Sequence, residues 1–125
     1  MTRTSRQALG AAGEQVARRH LEQRGYQFVT ANWRCPSGEL DLVMRDGATL
    51  VFIEVKTRHG ERLGAAEEAV SALQARRLLI AAETFLGGNP DLADLIWRFD
   101  LVAVTLTGTG AIARMTHIVD AVRMG

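Results

Sequence analysis

Between Glu39 and Thr57 the chain reads ELDLVMRDGATLVFIEVKT, two runs of strand-forming residues joined by Asp46-Gly47. β-Branched and aromatic side chains suit a pleated, half-buried surface, and Asp-Gly between two such runs is a strong hairpin signal. Whatever fold the chain adopts must therefore contain this antiparallel pair. Side chains alternate along a strand, so Val51, Ile53 and Val55 share one face while Leu50, Phe52, Glu54 and Lys56 share the other. An apolar strand thus ends with a carboxylate and an amine side by side.

Centring the turn on Asp46-Gly47 sets Met44 opposite Thr49, Asp41 opposite Phe52 and Glu39 opposite Glu54. Paired residues project to the same side, which gathers Glu39, Asp41, Glu54 and Lys56 on one face. Asp41 and Glu54 become diagonal neighbours, roughly 7–8 Å apart at the backbone and within reach of a common ion. Clustered carboxylates raise one another's pKa unless a cation compensates them. An all-oxygen set of Asp41, Glu54, a backbone carbonyl such as that of Val55, and water suits Mg²⁺ or Mn²⁺ better than zinc. Lys56 could orient an attacking water, assist its deprotonation or stabilise charge developing on a phosphate. These are the parts required for metal-assisted phosphodiester hydrolysis. Against this stands a plainer reading, a solvated Glu-x-Lys pair worth at most about 1 kcal/mol. Composition favours the chemical reading: of fifteen basic residues fourteen are arginine, and the one lysine is Lys56. Arginine stays protonated in proteins, whereas a buried lysine can exchange a proton.

The rest of the chain supplies cover for the hairpin. A helix is predicted from Ser5 to Arg24, ending at Gly25, with an apolar stripe of Leu9, Ala12, Val16, Ala17 and Leu21 and with Glu14 at its edge. YQFVTANWR reads as a strand and CPSG as a turn. Beyond the loop RHGERLG, a second helix begins at Ala66 or Ser71 and runs to Leu86, where GGNP ends it. Gln74 falls on its apolar stripe with Leu78, Ala81 and Phe85, and a buried amide requires partners. DLADLI fits a short helix, WRFDLVAVTL a strand and AIARMTHIV a last hairpin strand after TGTG. The order predicts an α/β fold, a mixed sheet of about five strands flanked by helices.

A chain of 125 residues suffices for one hydrophobic core, so a single domain over 1–125 is expected, with its core at about 9–106 and a C-terminal hairpin strand and tail over 107–125. The net charge of +1 leaves any nucleic-acid surface to the distribution of charge rather than its total. The single cysteine, Cys35, excludes an internal disulfide. No apolar targeting segment opens the sequence and no run is long enough to cross a membrane, so a cytoplasmic location is expected.

The segments GEQVARRHLEQRGY, NWRCPSGELDLVMRDG, LVFIEVKTRHG and RFDLVAV, in that order, resemble the bacterial YraN-like family, small proteins related to archaeal Holliday-junction resolvases. An acidic residue on one strand followed by EVK on the next resembles the signature of the PD-(D/E)XK nuclease superfamily. The resemblance spans Gly13 to Val104. It implies a restriction-endonuclease-like core, Mg²⁺- or Mn²⁺-dependent cleavage of DNA, branched DNA as the leading substrate, and a homodimer matched to a two-fold junction. Carried over by residue, it makes Asp41 and Glu54 the metal-binding carboxylates, Lys56 the catalytic lysine, and Glu14 the acid of the first helix that approaches the same site. Glu39 belongs to the family's Gly-Glu-hydrophobic-Asp pattern and is expected behind the metal's own ligands. A glutamine on the second helix neighbours the active site in several superfamily nucleases, whereas the closer family usually has lysine there. Gln74 is therefore a candidate, at the loss of a second cation.

Arg34, Arg58, Arg62, Arg76 and Arg77 could form a phosphate-binding rim, although each taken singly suits a solvated surface better. Arg98 and Asp100 fit a structural ion pair as well as a catalytic role. His20, His117, Trp33 and Trp97 read as packing residues, and His59 lies near the active strand without a second histidine at metal-ligand spacing. The rival reading is a non-catalytic DNA-binding or partner-binding module that retains the nuclease fold. Converging carboxylates argue against it, since a protein that only binds phosphates has no use for them.

Overall fold

The computed structural model describes the backbone of residues 5–59 and 71–121 and the side chains of 10–58 and 71–121. Helix α1 (Ser5–Gln23) leads into the strands β1 (Gln27–Cys35), β2 (Gly38–Asp46) and β3 (Thr49–His59). Helix α2 (Ala72–Gly87) and the strands β4 (Ile96–Leu106) and β5 (Ile112–Ile118) follow. The strands form one sheet in chain order, antiparallel except where β3 and β4 run parallel. This is the mixed five-stranded α/β arrangement read from the sequence, and it is consistent with a restriction-endonuclease-like core. The second helix begins at its Ser71 N-cap, whose hydroxyl accepts the Gln74 N–H at 3.1 Å. The loop RHGERLG beyond His59, with Arg62, and the earlier helix start at Ala66 lie outside the described residues. DLADLI is not a helix: successive i to i+3 bonds, Leu92 N–H to Asn89 and Leu95 N–H to Leu92, make it a series of turns. Six residues behind a proline, which lacks an N–H, are too few to propagate a helix.

Each face of the sheet has its own apolar layer. Leu50 and Phe52 of β3 pack with Leu78 and Phe85 of α2, while Val51 and Ile53 pack with Ala17 and Leu21 of α1. Trp33 and Trp97 belong to the first layer, edge-on to Phe85 and Phe52 with ring centroids 5.4 and 5.7 Å apart. No helix among the described residues is long and apolar enough to cross a membrane.

Helix α1 ends where Gly25, at φ 91°, lets its own N–H reach Glu22 and the Tyr26 N–H reach Leu21, both at 3.0 Å. Its seat differs from the predicted stripe, because Ala12 is exposed and Gly13 is buried. Gly13, Ala17 and Leu21 recur every fourth residue on one side. A Cβ on Gly13 would overlap the Thr57 hydroxyl and stand 2.9 Å from Thr57 Cβ and 3.0 Å from its Cγ2. Only glycine lets the helix approach β3 this closely. Gly13→Ala would gain about 1 kcal/mol of helix propensity but overpack a β-branched residue on an interior strand, at about 1–3 kcal/mol. The expected result is a net loss, read as a lower urea midpoint, that shrinks in a Thr57→Ala background. A midpoint raised by Gly13→Ala would show that the helix can back away freely.

Strand β4 is buried on both faces from Phe99 to Leu106, as suits an interior strand with a parallel neighbour. Asp100 sits fully buried inside this run. Its carboxylate accepts from Arg98 Nε at 2.9 Å and Nη2 at 3.3 Å, from His117 Nε2 at 2.7 Å and from the Asp120 N–H at 2.9 Å. Arg98 also donates to the Tyr26 hydroxyl at 2.9 Å. The RFD segment thus ties β4 to β5, to the turn after it and to the end of α1. His117 is bonded into that network rather than merely packed.

Candidate active site

The hairpin turn sits one residue later than the Asp-Gly signal suggested, which shifts the cross-strand register by two. Asp46 pairs with Thr49, leaving Gly47-Ala48 as the loop. Positive φ occurs at Gly47 (60°) and not at Ala48, the pattern of a type II′ turn with glycine first. A shift of two preserves the faces but changes the partners: Met44 meets Val51, Val43 meets Phe52 and Leu42 meets Ile53. One further step sets Asp41 beside Glu54 instead of diagonal to it.

That further step is where the sheet opens. Pairing between β2 and β3 ends at Leu42–Ile53, while β2 stays paired with β1 down to Gly38 and β3 stays paired with β4 out to His59. Asp41 fills the gap, its Oδ2 accepting the Val55 N–H at 2.9 Å in place of a ladder bond. Glu54 accepts from Gln74 Nε2 of α2 at 3.0 Å and stands 3.6 Å from Lys56 Nζ. Its side chain is 12% exposed and that of Lys56 31%. The structure therefore brings together Asp41, Glu54, Lys56 and Gln74, with the Val55 backbone between them.

The two carboxyl groups lie within hydrogen-bonding reach of each other, and each shifts the other. Burial, then the charge of Asp41, push the Glu54 carboxyl from 4.5 up to about 8 against the opposing pull of Lys56. Burial also raises Asp41, as does the charge of Glu39, while its bond from the Val55 N–H works the other way. Two hard oxygen donors held side by side, one raised towards its neutral form by burial and by its neighbour's charge, form a donor set that fits Mg²⁺ or Mn²⁺.

The other candidates have other partners or face solvent. Glu39 turns to Arg34 of β1, 3.6 Å away and 78% exposed, and acts on Asp41 through its charge. Arg58 shares the Lys56 face by alternation and is exposed, as are Arg76 and Arg77 on α2. Glu14 lies on the α1 side with Asn32. With its amide nitrogen turned to the carboxylate, the orientation that satisfies both groups, Asn32 donates to the two Glu14 oxygens at 2.8 and 3.1 Å. Among the described residues no three Asp, Glu, His or Cys side chains gather into a metal-binding group. Among the described residues Asp41 and Glu54 thus stand as a pair. Sequence reasoning passed over Asn32, whose signal was a turn-prone residue in the middle of a strand.

Comparison with known proteins agrees with these segments. The uncharacterised protein family UPF0102 matches residues 13–104. A UPF0102 protein of Frankia casuarinae is 46% identical over 114 residues, 91% of this chain and 95% of that protein. One from Beutenbergia cavernae is 49% identical over 114 residues, with the same two coverages. One from Ectopseudomonas mendocina is 42% identical over 118 residues, 94% of this chain and 99% of that protein. Matched over most of its length, the chain belongs to the UPF0102 or YraN-like family.

Proposed function

We propose that this protein is a divalent-metal-dependent endonuclease acting on DNA. The observation that carries the reading is the contact of Asp41 with Glu54 in the gap between β2 and β3, with Lys56 3.6 Å from Glu54. Asp41, Glu54 and the Val55 carbonyl would hold Mg²⁺ or Mn²⁺, leaving positions for water and a phosphate oxygen, as is usual for Mg²⁺. The ion supplies Lewis-acid stabilisation of the phosphate and a more acidic water. Glu54 gives up its proton when its charge is compensated. Gln74, bonded to Glu54, fixes the rotamer of that carboxylate. Lys56, partly exposed at the mouth of the gap, offers its ammonium to the developing charge. The first turn of α2 reaches the site through Gln74, and its positive dipole end favours an anion there. Arg34, Arg58, Arg76 and Arg77 supply exposed guanidinium groups for the flanking phosphates. The resemblance to resolvases makes four-way junctions the first substrate to try, and a homodimer would present two sites to such a junction.

The test is cleavage of labelled single strand, duplex, flap, four-way junction and RNA in EDTA, Mg²⁺ or Mn²⁺, with Lys56→Ala in parallel. Cutting of DNA is expected only with metal, and at least about a hundredfold slower in the variant. Junction binding without any cutting would instead favour the binding module, and cutting confined to RNA would correct the substrate class.

A further inference from the structure

A regular strand keeps alternate residues on one face, and β1 and β2 break this rule together. On β2, Leu42 and Met44 lie in the α1-side layer, yet Leu40 lies in the α2-side layer with Leu78 and Phe85. On β1, Ala31 belongs to the α1 side and Trp33 to the α2 side. The pairs Ala31–Leu42 and Trp33–Leu40 are both intact, so both strands turn over between them, where Asn32 and Asp41 stand. Asn32 has φ 53°, one of two non-glycine residues with positive φ among those described. Asparagine tolerates that left-handed region, whereas a β-branched residue is a true outlier there.

The reversal has a consequence for Asp41. Without it, Asp41 would project squarely onto one face like Val43. At the turnover its carboxylate instead reaches sideways across the gap to the Val55 N–H. The amide of Asn32 meanwhile holds both oxygens of Glu14, fastening α1 to β1 at this level. Two demands, a left-handed backbone and a neutral double donor, meet in one residue. We infer that Asn32 is a positioning residue of the site: its backbone aims Asp41 into the gap and its side chain ties Glu14 of α1 to β1 at that level. What the aimed groups serve rests on the nuclease reading, but the aiming itself does not.

The reporter is hydrogen exchange at the Val55 amide, followed by NMR. Asn32→Gly accepts the left-handed backbone and deletes the amide; Asn32→Val tolerates neither. Val55 is expected to exchange at least about tenfold faster in Asn32→Val and within about threefold of wild type in Asn32→Gly, with the β4 amide of Val104 unchanged in both. Unaltered Val55 protection in Asn32→Val, or equal acceleration in both variants, would overturn the inference. Should Asn32→Val fail to fold, Asn32→Ala takes its place on the same criteria. For the side chain, Asn32→Asp sets carboxylate against carboxylate and is expected to lower the melting temperature, and adding Glu14→Gln to restore it by re-forming a donor–acceptor pair. Failure of the double variant to recover would refute that half. A wild type that never cleaves would sink the nuclease reading and leave the Val55 amide to decide on Asn32. In a wild type that cleaves, Asn32→Val is expected to lower kcat with KM held.

Discussion

Glu54→Gln is expected to stabilise the metal-free protein near pH 8 while abolishing cleavage. The Glu54 carboxyl is raised from 4.5 to about 8, first by burial and then by the charge of Asp41. A raised carboxyl pKa means that the folded chain keeps a proton the unfolded chain has released. This group therefore withdraws stability as pH climbs from about 4.5 towards 8, the reverse of an ordinary salt-bridged acid. The span corresponds to a few kcal/mol. Glutamine mimics the protonated acid: its carbonyl can accept from Gln74 and its amide can donate to Asp41. With each kcal/mol worth roughly 4 °C in a chain of this size, melting in EDTA should rise by about 10–20 °C near pH 8. It should barely change near pH 4.5, where both side chains are neutral. Adding Mg²⁺ should narrow the gap from the other side, because only the wild type gains binding energy from the ion. Cleavage should fall by at least about a thousandfold through loss of an anionic ligand. A wild type more stable than the variant at both pH values would show that the Asp41–Glu54 contact is not strained in the way described.

Asp100→Ala is expected to cause the largest loss of stability, for the opposite electrostatic reason. Burial alone would raise the Asp100 carboxyl, but hydrogen bonds from His117, Arg98 and the Asp120 N–H together hold it below its ordinary value. Removing it strands Arg98, itself partly buried, together with His117 and the Asp120 N–H. Breaking such a network typically costs about 3–5 kcal/mol, enough to lower melting by roughly 10–20 °C. Because the folded pKa is depressed, the contribution is present at neutral pH and disappears as pH falls through the folded value. Urea midpoints measured down to about pH 3 should therefore fall more steeply for wild type than for Asp100→Asn. Asp100→Asn, assayed in the cold where it remains folded, is expected to keep its metal dependence of cleavage. Loss of cleavage in a fully folded variant would give Asp100 the chemical role that the resemblance left open.

These two acids show how far the sequence reaches. Glu54 announced itself, being a charged residue at the end of an apolar strand with the chain's one lysine two positions away. Asp100 did not, because RFD looks the same whether its partner is only the arginine two positions back or also a histidine seventeen positions away on another strand. Gln74 was legible as a polar residue on an apolar stripe, but its partner Glu54, twenty residues back, was not. The faces of β3 could be read from alternation alone, since the period of two survives any even slip in register. The partners across the hairpin could not, because they depend on whether glycine takes the first or the second central position of the turn.

The sequence by itself determined the elements, their order, the faces of β3 and the conjunction of Asp41, Glu54 and Lys56. Each follows from local periodicity, turn chemistry and charge placement. Only the tertiary structure decided that Asp41 touches Glu54, that Glu14 is held by Asn32, that Gly13 seats α1 on Thr57, and that Asp100 anchors β4. Those contacts join residues far apart in the chain. They turn on a φ angle at Gly47, another at Asn32 and the closeness of one helix to one strand, and no local pattern of apolar and polar residues encodes such quantities.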